Sequence, residues 1–236
     1  MTLLTIETST SCCSAAITID GRAVATRANM TNANHASELP VFVEQLLAEA
    51  RANQWQIEAV ALSQGPGSYT GLRIGTSLAK GICYGMNIPL IPIDTLQVLC
   101  AAALPTIQND FATEPSAILC PMIDARRMEV YTCQLTVDNG QLTVVSEVQA
   151  KVINEDSFAD ILADHVVYFF GNGAEKCKSV ITSPNARFID HIVPDAQYMG
   201  QLAETITPLD LKQVAYYEPF YLKEFVAAPS HIKGLN

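Results

Sequence analysis

Glycine, proline and hydroxyl residues crowd into one short stretch of this chain, GPGSYTG at residues 65–71, directly after the apolar run 59–62. Apolar strand, tight loop and helix-spaced apolar residues in succession aim several backbone amides at one point. Gly65 and Gly67 permit close approach, Pro66 stiffens the turn, and Ser68 or Thr70 can accept from a free N–H of the first helical turn. Such amides suit an anion, either a phosphate or a partner's carboxylate. A capped helix with no ligand is the plainer reading, because the spacing differs from GxxxxGK[ST] and the first lysine to follow is Lys80. Two acids complete the set: Glu7 ends the first apolar run, with Ser9 just beyond it, and Asp124 ends a later one. The candidate phosphate-holding cleft is therefore Glu7, Ser9, Gly65, Gly67, Ser68 and Asp124.

Other chemistry finds little support. His35, His165, His191 and His231 lie far apart with no HxxxH pair, so no metal site is expected. The seven cysteines are odd in number and include no CxxC, which suggests buried, reduced thiols. No Ser or Cys sits in a recognisable triad context, and no catalytic residue is expected. A charged knot, Asp124, Arg126 and Glu129, either lines a cleft or forms a local salt bridge. The formal net charge of −10 argues against unaided binding of nucleic acid. MTLLTIETS lacks a basic leader, so a cytoplasmic location with no membrane segment is expected.

The elements that must position these residues follow from periodicity. Apolar runs at residues 3–7 and 14–19, then Asp20-Gly21 and residues 24–27, read as a three-stranded meander. Residues 38–52 read as an amphipathic helix begun at Ser37, and residues 72–85 as a helix interrupted by glycines. A strand at 88–93 and a helix from Asp94 or Thr95 to Leu104 complete the unit.

The order then repeats: strands at 117–124, 129–137 and 142–148, a helix at 158–162, a strand at 166–170, the loop Gly171-Asn172-Gly173 and a helix at 174–181. Glu7 and Asp124 lie 117 positions apart, and the hairpin glycines Gly21 and Gly140 lie 119 apart. We therefore expect an α/β chain of two tandem ribonuclease H-like βββαβα subdomains, the architecture of actin, hexokinase and Hsp70. The expected domains are residues 1–105, which carry the dimer surface, and 106–236, with residues 105–115 as the junction. The last segment is expected to pack back on the first domain.

Four stretches, LLTIETSTSCCSAAI, SQGPGSYTGLRIGTSLAKG, IDARRMEVY and EPFYLK, together resemble the bacterial TsaB (YeaZ) family of tRNA threonylcarbamoyladenosine biosynthesis, over nearly the whole chain. The resemblance implies a non-catalytic or weakly catalytic subunit that pairs with a metal-bearing paralogue, TsaD, and an ATPase, TsaE. Together they would transfer threonylcarbamoyl to N6 of adenosine 37 in tRNAs reading codons that begin with A. ATP and threonylcarbamoyl-AMP are then used by the complex, the isolated chain needs no cofactor, and tRNA is met only through the complex. The paralogue's metal is held by a histidine pair on its first long helix, whereas only His35 stands here. Glu7 replaces the family's usual Asp, Tyr69 the usual Phe, and Arg127-Met128 stands where a Gly often precedes the Glu.

The surplus apolar width of residues 38–52 and the small-residue spacing of 72–85 suggest the surface for that partner. It would use Leu39, Phe42, Leu46, Arg73, Gly75, Ala79 and Tyr84, and would pair with a second copy when the chain is alone. Two rival readings on the same residues are a small ATP-dependent kinase and a glycoprotease-type peptidase. The kinase needs room for substrate and a basic residue after the loop, and the peptidase needs a metal pair or activated nucleophile.

Overall fold

The computed structural model describes residues 1–223 apart from 112, 113, 115, 139 and 140. Its first five-stranded sheet contains β1 (Thr2–Glu7), β2 (Cys13–Ile19), β3 (Arg22–Asn29), β4 (Ala59–Gly65) and β5 (Leu90–Asp94) in the order β3-β2-β1-β4-β5. β1 pairs antiparallel with β2 and parallel with β4. That parallel pairing requires a crossover, which α1 (His35–Ala52) supplies, and α2 (Tyr69–Met86) carries the chain on from β4 to β5.

Both faces of this sheet are covered, which is why β1 and β4 read as continuous apolar runs rather than alternating ones. Leu4, Ile6 and Leu62 meet Leu39, Val43, Leu46 and Ala79 of the two helices. Leu3, Ala61, Ile91 and Ile93 face the other way, onto Val98, Ala196, Met199 and Ala203.

The helix α3 (Thr95–Phe111) leads to a second sheet whose main path, β10-β7-β6-β11-β12, repeats the order of the first. Its strands are β6 (Ile118–Asp124), β7 (Glu129–Thr132), β10 (Gln149–Val152), β11 (Val167–Phe170) and β12 (Ala186–Ile189). α4 (Ala159–Asp164) stands where α1 stands in the first half. The fold is thus two ribonuclease H-like units in tandem.

Four expectations need correction. α3 continues through Pro105 rather than ending at Leu104, since Ala103 and Ile107 are buried against the second sheet and hold it past the lost N–H. The expected strand 129–137 is split into β7 and β8 (Leu135–Asp138), and β8 pairs with β9 (Gln141–Val144) as an inserted hairpin. The true third strand is β10, so the Gly21 and Gly140 spacing matched unlike hairpins; Gly140 itself lies outside the described residues, as do Pro115 and residues 224–236. The helix expected over 174–181 is only a turn of 3₁₀ helix at Glu175–Cys177, with Thr182-Ser183-Pro184 ending the segment.

The C-terminal part returns to the first sheet. Ala196 accepts from Thr5 Oγ1 at 2.8 Å and donates to Ser14 Oγ at 2.9 Å, which seats α5 (Met199–Ala203) under β1 and β2. α6 (Leu211–Tyr216) lies along α2, and Lys80 Nζ donates to the carbonyls of Ala215 and Tyr217. Among the described residues no helix is long and apolar enough to cross a membrane.

Candidate functional site

The end of β1, the turn after it and the loop between β4 and α2 converge. Ser68 is the N-cap of α2, its Oγ accepting from Gly71 N at 3.2 Å, as the sequence indicates. The Ser68 N–H, which a phosphate would need, donates instead to the Ser9 carbonyl at 2.6 Å, and Gly65 N donates to Thr95 Oγ1 at 3.1 Å. A Cβ on Gly67 would collide with that same Ser9 carbonyl, and one on Gly71 or Gly75 with Thr8. The glycines therefore admit the chain's own β1–β2 turn, and the helix cost of Gly71 and Gly75, up to roughly 1 kcal/mol each, is offset within the chain rather than by a foreign helix. Gly81 and Gly85, by contrast, face open space.

Glu7 is fully buried. Its Oε1 accepts from Ser9 N at 2.5 Å, while Oε2 finds no hydrogen-bond partner among the described residues, and neither do Thr8 Oγ1, Ser9 Oγ or Thr76 Oγ1. Loss of hydration pushes its pKa up to about 7 against the relief that neighbouring Ser9 supplies. A carboxyl that is buried and only half satisfied, beside amides that are already bonded, does not fit a nucleotide's phosphates. Phe220 tightens the closure further, its N–H donating to the Gln64 carbonyl at 2.8 Å and its carbonyl lying over Gly65.

Asp124 is not brought into this cluster. It sits exposed on the second sheet, paired with Lys176, and its own N–H donates to Asn172 Oδ1 at 3.0 Å. Glu129 pairs with Lys223, so the knot is neutralised by lysines that sequence proximity does not reveal. Arg126 enters no ion pair among the described residues and holds a left-handed φ of 70°.

The proposed partner surface divides. Leu39, Leu46, Gly75 and Ala79 are buried in the chain's own core, so they cannot meet a second molecule; the apolar width that suggested a partner is covered by β1, β2 and β4. Phe42 is half-buried, and Arg73 is exposed but engaged, its guanidinium 4.2 Å from the Tyr69 ring centre and its Nε donating to Tyr221 at 3.2 Å. Tyr84 is 85% exposed and Val41, which the sequence did not single out, 46% exposed. Tyr217, Phe220 and Tyr221 form a strap along α2, on the first domain to which the last segment was expected to return. His35 is tied by Nε2 to the Cys12 carbonyl at 3.0 Å, a structural contact at the start of α1.

Comparison with known proteins places this geometry. The family model described as TsaD, tRNA N6-adenosine threonylcarbamoyltransferase, matches residues 27–163. The tRNA threonylcarbamoyladenosine biosynthesis protein TsaB of Haemophilus influenzae is 29% identical over 96% of this chain and 95% of its own length. The protein of the same name from Bacillus subtilis is 28% identical over 86% of this chain and 82% of its own. Among solved structures, YeaZ from Pseudomonas aeruginosa superposes with a TM-score of 0.72 at 26% identity, covering 94% of this chain and 99% of that one.

Proposed function

Since this chain belongs to the TsaD family, tRNA N6-adenosine threonylcarbamoyltransferase, we propose that it is the non-catalytic subunit of a complex making threonylcarbamoyladenosine in tRNA. It works in tRNA threonylcarbamoyladenosine biosynthesis, as relatives named for that process match it along nearly their whole length. The observation that carries the non-catalytic reading is the closed cradle: the Ser68 amide is spent on Ser9, and Glu7 is sealed beneath the turn. The partners in this reading are a catalytic TsaD paralogue and the ATPase TsaE, with tRNA met through the complex, in the cytoplasm. ATP and threonylcarbamoyl-AMP are consumed by the complex; this chain alone binds ATP no better than about millimolar, a free energy near −4 kcal/mol.

The partner surface is the outer face of α1 and α2 around Val41, Phe42 and Tyr84, where apolar area faces solvent. The test is transfer to N6 of adenosine 37, read as modified nucleoside by mass spectrometry. The three proteins together should modify tRNA and this chain alone should not. Val41→Glu and Tyr84→Glu should abolish co-elution with the paralogue while leaving circular dichroism unchanged. Transfer by the lone chain would overturn the accessory role, and co-elution of both variants would place the interface elsewhere.

A further inference from the structure

Between the two sheets lies a cavity of about 410 Å³, within the range of sites for small metabolites. It borders the closed cradle, from which Gln64 and Phe220 divide it, and includes no residue of the outer face of α1 and α2 among the described residues. Its polar wall comes from the carboxyl ends of β4 and β5: Gln64, Asp94 and, one turn into α3, Gln97. Ligands of open α/β sheets gather outside such strand ends. Across the opening the inserted β8–β9 hairpin and the residues after it contribute Val144, Glu147 and Val148, and Phe220 of the C-terminal strap forms a further wall.

The charge of the lining selects the ligand. Among the described residues it includes two carboxylates and two carboxamides but no Lys, Arg or His, so a phosphate or carboxylate would be repelled and a cation drawn in. Asp94 is the deeper acid. Its Oδ1 accepts from Leu96 N at 2.8 Å and Gln97 N at 3.3 Å, and its Oδ2 enters no hydrogen bond among the described residues. Burial holds its pKa up at about 6, a cost that a neighbouring cation would relieve. Glu147 is exposed at the mouth, and the apolar surface of Val144, Val148 and Phe220 spans the interval.

We propose that this cavity binds a small aliphatic amine, with an ammonium on Asp94, methylenes along Val144, Val148 and Phe220, and the second ammonium of a diamine at Glu147. This site is independent of the role in tRNA modification, and its test uses the isolated full-length chain.

Isothermal titration would compare cadaverine with 1,5-pentanediol, its neutral counterpart, and with glutarate, its anionic one. Cadaverine should bind saturably, pentanediol at least tenfold more weakly, and glutarate not at all. Asp94→Asn keeps an oxygen to cap α3 and should weaken cadaverine at least tenfold; Glu147→Gln should weaken it severalfold. Val144→Trp, at the exposed rim, should block binding without touching either acid. Absence of saturable cadaverine binding, equal binding of pentanediol, or unchanged affinity in both Asp94→Asn and Val144→Trp would overturn the assignment. If Asp94→Asn fails to fold, Val144→Trp and the pentanediol comparison decide.

Discussion

Replacing Glu7 with Gln should make the protein more stable above pH 7 and leave its stability unchanged near pH 4. In the folded chain this carboxyl is fully buried, with one oxygen unpaired among the described residues, and its pKa rises from 4.5 to about 7. The folded state therefore holds the proton more tightly than the unfolded chain. Stability contributed by this group is full below pH 4.5, declines as pH rises from 4.5 to 7, and is level above that. A shift of this size corresponds to about 3 kcal/mol. A carboxamide in place of the carboxyl carries no charge at any pH and can still accept the Ser9 N–H. The two proteins should have equal unfolding free energies at pH 4, and by pH 8 the variant should lead by about 3 kcal/mol. For a domain of this size that is a rise in Tm of roughly 6–12 °C. Urea unfolding followed by circular dichroism at matched pH values would measure the difference, in which the other titrating groups cancel. A stability gap that does not change between pH 4 and pH 8, or a less stable variant at pH 8, would refute the burial argument.

Gly75→Ala should destabilise by about 2 kcal/mol through overpacking against Thr8 Oγ1, and Thr8→Ala in the same chain should restore part of the loss, both read from urea midpoints. Gly81→Ala, facing open space, should instead stabilise α2 by up to about 1 kcal/mol in the same assay. Ser68→Ala removes the cap of α2 and should cost about 1 kcal/mol, with a lowered thermal midpoint as the readout. All seven cysteines are buried, and burial pushes Cys83 up to about 11, so a colourimetric thiol reagent at pH 8 should label the native chain far more slowly than the urea-unfolded one.

Local pattern was enough for much of the fold. The apolar runs of β1, β4 and β6, the amphipathic spacing of α1 and a hydroxyl cap on α2 depend on neighbours a few residues apart and emerged close to where the pattern placed them, although α1 begins at His35 behind Asn34 rather than behind Ser37, and Ser68 rather than Thr70 is the cap. The duplication was legible because both halves keep the same element order, although the inserted β8–β9 hairpin imitated the third strand of the meander and shifted the apparent register. Nothing local distinguishes a hairpin that extends a sheet from one that branches off it; only the pairing partner does.

The site was less legible for the same reason. Glycines at residues 67, 71 and 75 signal close approach by something, but the sequence does not say by what, and the answer came from Thr8 and Ser9 some sixty positions away. The apolar width of α1 looked like surplus for a partner, yet Leu39, Val43 and Leu46 lie in the core and Leu47 packs against it, because the area that the sheet covers is set by the sheet, not by the helix. Glu7 was a candidate for a phosphate cleft, and its bond from the Ser9 N–H and its burial with one oxygen unsatisfied among the described residues came only when the turn after it folded beneath α2. Residue types and short spacings determined which elements form and where they are capped; burial, ion pairing and the closing of the cradle were decided by contacts between distant segments, because desolvation depends on the whole surrounding volume and not on sequence neighbours.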